Sequence, residues 1–301
     1  GQNIHSTAVL DGFIAVADVS GAWMWAHAFQ TLANTSTDQS IPYAIAVDQM
    51  GDIYVAGTFS GETDFGGTII NVSNNEVFVA KLSGATGSLL WVVSGGGVGN
   101  QVVTDIEIDQ AGSIHVSGIT QTGLIFGNKG YSTVGTQDSF ILKMDGNGGI
   151  LALSGYGIVN NAVTISEIES DSNGDLYIGG SFEGTLAQGS WSITANQGQS
   201  DVFVAKVTGT SQWASTGGTN AADGLADMVI NSKNEIMFSA LIQGSFTAGS
   251  KAVTAGGTVD MVVGGLSTGG SWDWLLNSGS SDYVIPSSLA VNDSDMLAIS
   301  G

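Results

Sequence analysis

The chain has 301 residues, 43% hydrophobic and only 11% charged, which supports a sizeable buried core and excludes a disordered chain. Twenty-seven acids against six lysines give a formal charge of −21, a surface that repels nucleic acid and anionic membranes and suits a saline or cation-rich medium. No run approaches the roughly 18 uninterrupted apolar residues of a membrane helix, and the absence of cysteine excludes disulfide and thiol chemistry while leaving the redox compartment open.

In chain order, Gly1-Gln2-Asn3-Ile4 shows neither a basic nor an apolar leader region, so any signal peptide is expected to be already removed or not included. Asp11 opens an apolar strand, and a second strand carries Trp25. Residues 44–48 and 53–57 then read as a hairpin around Gln49-Met50-Gly51, followed by a longer connection and by strands over 76–82 and 89–94. Apolar and polar residues alternate with period two between Gly, Asp and Ser turns. Glycine scattered through every segment disfavours helix.

The same order then returns. Residues 47–57 recur at 108–118, 170–180, 230–240 and 291–301, and the Asp or Asn at 48, 109, 171, 231 and 292 marks a period of about 61 residues. A second anchor is the acid that opens the third strand, at Glu76, Asp138, Asp201, Asp260 and, more loosely, Asp11. A third is the aromatic strand holding Trp25, Trp91, Trp213 and Trp274, with Ala152 in the odd copy. Four strands per copy, repeated radially, is the β-propeller solution to exposed sheet edges. The expected fold is therefore all-β, a single propeller over residues 1–301 with five blades of about four antiparallel strands. Blades are expected at 44–94, 105–154, 167–217 and 227–278, the terminal one being closed by both chain ends, 288–301 with 1–29.

The run from Ala46 to Gly57, the segment Glu76-Val77-Phe78-Val79-Ala80-Lys81-Leu82 and the Gly87-Ser88 turn before the Trp91 strand resemble the SBBP β-propeller repeats, which are similar to NHL-type blades. The resemblance covers nearly the whole chain. It implies a propeller in a large secreted or cell-surface protein, with no shared catalytic residues to carry over, although the family name implies seven blades against the five counted here. On the NHL strand order, residues 44–48 and their equivalents would be innermost and the Trp strand outermost.

Sites are sought where one copy breaks the pattern. The slot of Ala44 becomes Asp105, Glu167, Asp227 and Ser288, and that of Ala46 becomes Glu107, Glu169, Val229 and Ala290. Both slots face one side of the strand, so five carboxylates are expected near the channel mouth, with the strand-opening acids at the same end. Such oxygen ligands would suit Ca²⁺, but a hydrated acidic mouth is the favoured reading. Asp171-Ser172-Asn173-Gly174-Asp175 faintly echoes a Ca²⁺ loop yet lacks its distal Glu, and it reads better as a hairpin turn. Lys81, Lys143 and Lys206 share one slot; pairing with Asp105, Glu167 and Asp227 would place partners at opposite strand ends. The repeated tryptophans read as packing between blades, which leaves Trp191, in the long connection of the third copy, as the candidate exposed contact for a sugar or partner.

Catalytic signatures are absent: His5, His27 and His115 form no zinc motif, and neither a nucleophile elbow nor a phosphate loop occurs. Sequons at Asn34, Asn71 and Asn292 would permit glycosylation in a secretory host. The expected function is a non-catalytic extracellular module that binds a glycan or a protein through one loop face. The alternatives are a glycan hydrolase or lyase, with Glu107 and Glu167 as its carboxylate pair, and a structural spacer in a surface assembly or filament.

Overall fold

The computed structural model describes residues 10–32, 38–196 and 199–301. His5, the Asn34 sequon and the first nine residues of the expected terminal blade lie outside them. Among the described residues there are strands and turns and no helix. Two compact units emerge, one from Gly1–Ile108, Gly112–Thr133 and Phe140–Gly155, the other from Asp109–Ala111, Val134–Ser139 and Tyr156–Gly301.

In the first unit β1 (Gly12–Ala17) pairs with β2 (Trp23–Thr31), and the end of β2 runs on to β4 through Gln30↔Asp64 and Thr31↔Thr63. A four-stranded antiparallel meander follows, of β3 (Gln39–Val47), β4 (Ile53–Asp64), β5 (Ile69–Leu82) and β6 (Leu89–Gly95). The next copy has β7 (Gln101–Ile108), β8 (Ile114–Thr120), a small hairpin of β9 (Leu124–Phe126) and β10 (Lys129–Tyr131), then β11 (Asp138–Met144) and β12 (Ile150–Tyr156). Its sheet order is β12-β11-β8-β7.

The second unit repeats the plan. β13 (Val163–Ser170), β14 (Leu176–Phe182), β17 (Asp201–Lys206) and β18 (Trp213–Gly218) form one meander, with β15 (Thr185–Gln188) and β16 (Trp191–Thr194) as its inserted hairpin. β19 (Gly224–Ile230), β20 (Ile236–Ile242), β23 (Asp260–Leu266) and β24 (Trp272–Asn277) form the other, with β21 (Ser245–Ala248) and β22 (Lys251–Thr254) inserted. β25 (Ser288–Val291) and β26 (Leu297–Ser300) make a two-stranded sheet.

One turn chemistry sets these hairpins. Asp48 Oδ1 accepts the N–H groups of Met50 and Asp52 at 2.9 Å, and Asp171, Asn231 and Asn292 repeat the pair of bonds two and four residues on. The residue three after the acceptor takes positive φ, as Gly51, Gly174, Asn234 and Asp295 do. Such dihedrals suit glycine and tolerate Asn and Asp. Asp18 and Asp145 close the outer hairpins in the same way.

The longer connections are not plain loops. Each of β9–β10, β15–β16 and β21–β22 turns on two residues that begin with a positive-φ glycine, Gly127, Gly189 or Gly249, a two-residue hairpin turn. Each drives apolar side chains inward: Phe126, Leu186 and Phe246 are at most 1% exposed, and in the first copy Phe65, before Gly66, is buried likewise. In the first unit, one core gathers Tyr54, Val79, Ile106, Val116, Phe126 and Phe140, and a second gathers Trp25, Phe29, Phe59, Phe65 and Phe78. In the second unit, Tyr177, Val204, Met228, Phe238 and Phe246 share a core.

The slot lysine locks the inner hairpin. Lys81 Nζ lies 3.3 Å from Asp48 Oδ2 and 3.0 Å from Asp52 Oδ2, above the Tyr54 ring. Lys206 holds Asp175 at 2.6 Å over Tyr177. Burial pushes the Asp48 carboxyl up, but the Asp52 N–H and Lys81 outweigh it and hold it below its usual range. That contribution exists only while Asp48 is ionised, so it is lost as pH falls through the lowered pKa. Lys81→Met is expected to cost about 2 kcal/mol at pH 7 by urea unfolding, with the gap to the parent narrowing once Asp48 protonates.

Candidate functional site

The inner strands carry a shared irregularity immediately before the acid slot. The register shifts between Val103 and Asp105, Ile165 and Glu167, and Leu225 and Asp227, and between Pro42 and Ala44 in the copy without an acid. A bulge of this kind re-aims the side chains that follow it. Beyond it, Asp105 faces Ser117 and Glu107 faces His115 across β7 and β8 in the first unit. In the second unit Glu167 faces Gly179, Glu169 faces Tyr177 and Asp227 faces Ser239.

All five carboxylates are half-buried. Asp105 and Asp227 each turn Oδ1 back onto the following N–H, of Ile106 and Met228, at 2.7 Å. Asp227 Oδ2 also accepts the Leu289 N–H, so this acid ties β19 to the start of β25. Glu167, Glu169 and Asp227 belong to the second unit, where β13 and β19 are neighbours and Ser166 reaches the Leu225 carbonyl at 3.5 Å. Asp105 and Glu107 belong to the first unit. Among the described residues, no three His, Asp or Glu side chains are grouped as a metal centre.

The strand-opening acids have a different environment from the hydrated mouth expected for them. Asp138, Asp201 and Asp260 are fully buried. Asp138 accepts the N–H groups of Val134 and Gly135, Asp201 that of Asn196, and Asp260 those of Gly256 and Met261. These acids close the return of the long connection onto the third strand. Glycines on the outer strand make the room: a Cβ at Gly157 or Gly218 would lie 2.3 or 2.2 Å from the carboxyl of Asp138 or Asp201.

Trp191 is likewise not an exposed platform. It is 8% exposed on β16, where it alternates inward with Ile193 and faces Gln188 of β15. Its indole N–H has no acceptor among the described residues. The reason is the inserted hairpin, which gives the connection an inner face of its own. Trp25 is buried, and Trp91 and Trp213 are half-buried under the following copy, whereas Trp23 is 76% exposed. The Asp171 loop uses its carboxylates internally, on Asn173, Asp175 and Tyr177.

One further acid lies outside the repeated acid slots. Asp223, 3% exposed, accepts bonds from the Thr219 N–H and hydroxyl, and its own N–H donates to the Ser200 carbonyl. Burial first, with a small push from Asp201, raises its pKa to about 6. Burial also raises Asp201, whose Oδ1 has no donor among the described residues. The signal was present in the sequence, because Asp223 stands where other copies have Ser40, Gln101, Val163 and Val284.

A carboxyl raised in the folded state favours folding when protonated. Its contribution is complete below the ordinary 3.8 and lost as pH rises to about 6. Asp223→Asn should therefore flatten the dependence of the urea midpoint on pH between those values. An unchanged slope would show that Asp223 titrates normally.

No protein-family model and no curated protein matches the chain. Among solved structures, it is similar to a protein of unknown function from Bacteroides caccae, with 12% identity and a TM-score of 0.33 over 87% of this chain and 88% of that one. It is also similar to a catalytically inactive virginiamycin B lyase from Staphylococcus aureus with quinupristin, with 11% identity and a TM-score of 0.27 over 93% and 92%.

Proposed function

We propose that this chain is a non-catalytic, extracellular or cell-surface β-propeller module that binds a glycan or protein partner through one loop face. The observation that carries this reading is the work done by the recurring acids. Those at the hairpin turns and strand starts accept backbone N–H groups or pair with the slot lysines. These bonds are structural, and Asp105, Glu107, Glu167, Glu169 and Asp227 stand apart only in taking the slots of Ala44 and Ala46, where the copies differ. On this reading there are five blades, the fifth built from β25–β26 together with β1–β2, and the SBBP-like repeat supports a secreted location.

Screening the protein on a glycan array and titrating it calorimetrically with Ca²⁺ tests the reading. A glycan hit without turnover is the expected result. Release of products from that glycan, abolished by Glu107→Gln or Glu167→Gln in a folded protein, would establish a hydrolase or lyase instead. Neither binding nor turnover would leave a spacer role.

A further inference from the structure

The fourth copy breaks the repeat at the lysine slot. In the first copy Lys81 lies across from Tyr54 on one side and Trp91 on the other, and in the third Lys206 lies between Tyr177 and Trp213. Each ammonium sits over its tyrosine ring and against an acid of the hairpin turn, Asp52 at 3.0 Å or Asp175 at 2.6 Å. The equivalent trio in the fourth copy is Met237, Gly265 and Trp274. Ammonium and phenol are lost together, while the acid remains as Glu235.

The vacated space is open. Glu235, Met237, Gly265 and Trp274 line a groove of about 760 Å³ together with Leu297 and Ile299, within the size range of ligand pockets. The indole has turned onto the bare strand. Trp25, Trp91 and Trp213 reach forward to a turn of the next copy, Nε1 donating to the carbonyls of Gly84, Gly146 and Thr268 at 2.8, 3.2 and 3.0 Å. Trp274 Nε1 instead lies against Gly265, where an added Cβ would collide with it.

No cation of the second unit fills the seat among the described residues. Glu235 Oε2 accepts the Asn231 Nδ2 donor at 2.8 Å, and its carboxylate has no cationic partner there. Lys233, on the same groove, turns its ammonium to Asp295 at 3.3 Å with a side chain 66% exposed. A carboxylate, an indole and apolar walls together complement an ammonium on a methylene stem. The first two attract the charge and the walls cover the stem. The groove is several times larger than such a stem, so it has room for the residues that flank a lysine in a chain. A formal charge of −21 also favours a basic partner.

We infer that this groove receives a lysine side chain of a partner protein, its ammonium held between Glu235 and the Trp274 ring, in the seat that Lys81 and Lys206 fill within their own copies. The site lies wholly within the second unit. It goes beyond the loop-face reading and needs neither the blade count nor the acids in the slots of Ala44 and Ala46.

The probe is the peptide acetyl-Val-Ala-Lys-Leu-amide, the sequence of residues 79–82, added to the whole chain. The indole N–H signal of Trp274, assigned by Trp274→Phe, is followed by NMR. Expected is a saturable shift, with affinity about tenfold weaker when the peptide lysine is ε-acetylated, and likewise for Glu235→Gln, as one partly desolvated ammonium contact provides. Gly265→Lys restores the internal ammonium and is expected to abolish binding; Glu235→Gln carries the test should that variant not fold. No saturable shift, equal affinity for the acetylated peptide, or unchanged binding by Glu235→Gln would each overturn the inference. Cadaverine binding as tightly as the peptide would overturn the protein partner and assign the seat to a free amine.

Discussion

Each four-stranded copy has two apolar faces and, among the described residues, no helix to cover either, so each must be buried by a neighbouring sheet. That constraint organises the molecule. It explains why Ile106 is covered by Ala44 and Ala46, and why the largest fully buried side chains are mostly phenylalanines. Indoles that reach forward to a turn of the next copy add direction to what hydrophobic contact alone would leave to slide, because a hydrogen bond fixes register as burial does not.

The charge of the chain has to be read against that packing. An excess of carboxylates ordinarily argues for a solvated, repulsive surface. Here Asp138, Asp201 and Asp260 sit in the interior, each accepting at least one N–H group of a returning loop. A loop with few regular partners leaves donors unsatisfied, and a buried carboxylate accepts from several at once. The acids are in part the means by which glycine-rich connections are pinned. Asp223 shows the limit of the device, since burial above all, with a small push from Asp201, resists its ionisation.

The repeat, the strand pairing and the hairpin turns were legible in the sequence because they depend on local spacing. Asp48 with Gly51 and Asp171 with Gly174 announce the same turn by residue type alone. The inserted hairpins are not legible there, because strands of three or four residues carry too short an alternation to stand out. The burial of Trp191 is hidden for the same reason: without the hairpin there is no inner face for it to occupy. The burial of Asp138 and its equivalents was also hidden, since the N–H groups of Gly135, Asn196 and Gly256 that justify it come from irregular loops with no period. The partner of a slot lysine, by contrast, follows from register, as Lys81 lies directly across from Tyr54 and beside the turn that Asp48 closes.

The main-chain pairing of β2 with β4 and of β18 with β21 has a consequence for how the protein comes apart. Gly217 faces Ala248, and Gln30 faces Asp64, so backbone bonds cross from the outer strand of one copy into the inserted segment of the next. In a repeat array whose neighbours touch only through side chains, each module can open with a modest loss of interface. Here a departing copy would also strip its neighbour of backbone partners and leave a bare strand edge. The smallest piece able to unfold by itself is therefore larger than the piece that evolution duplicated.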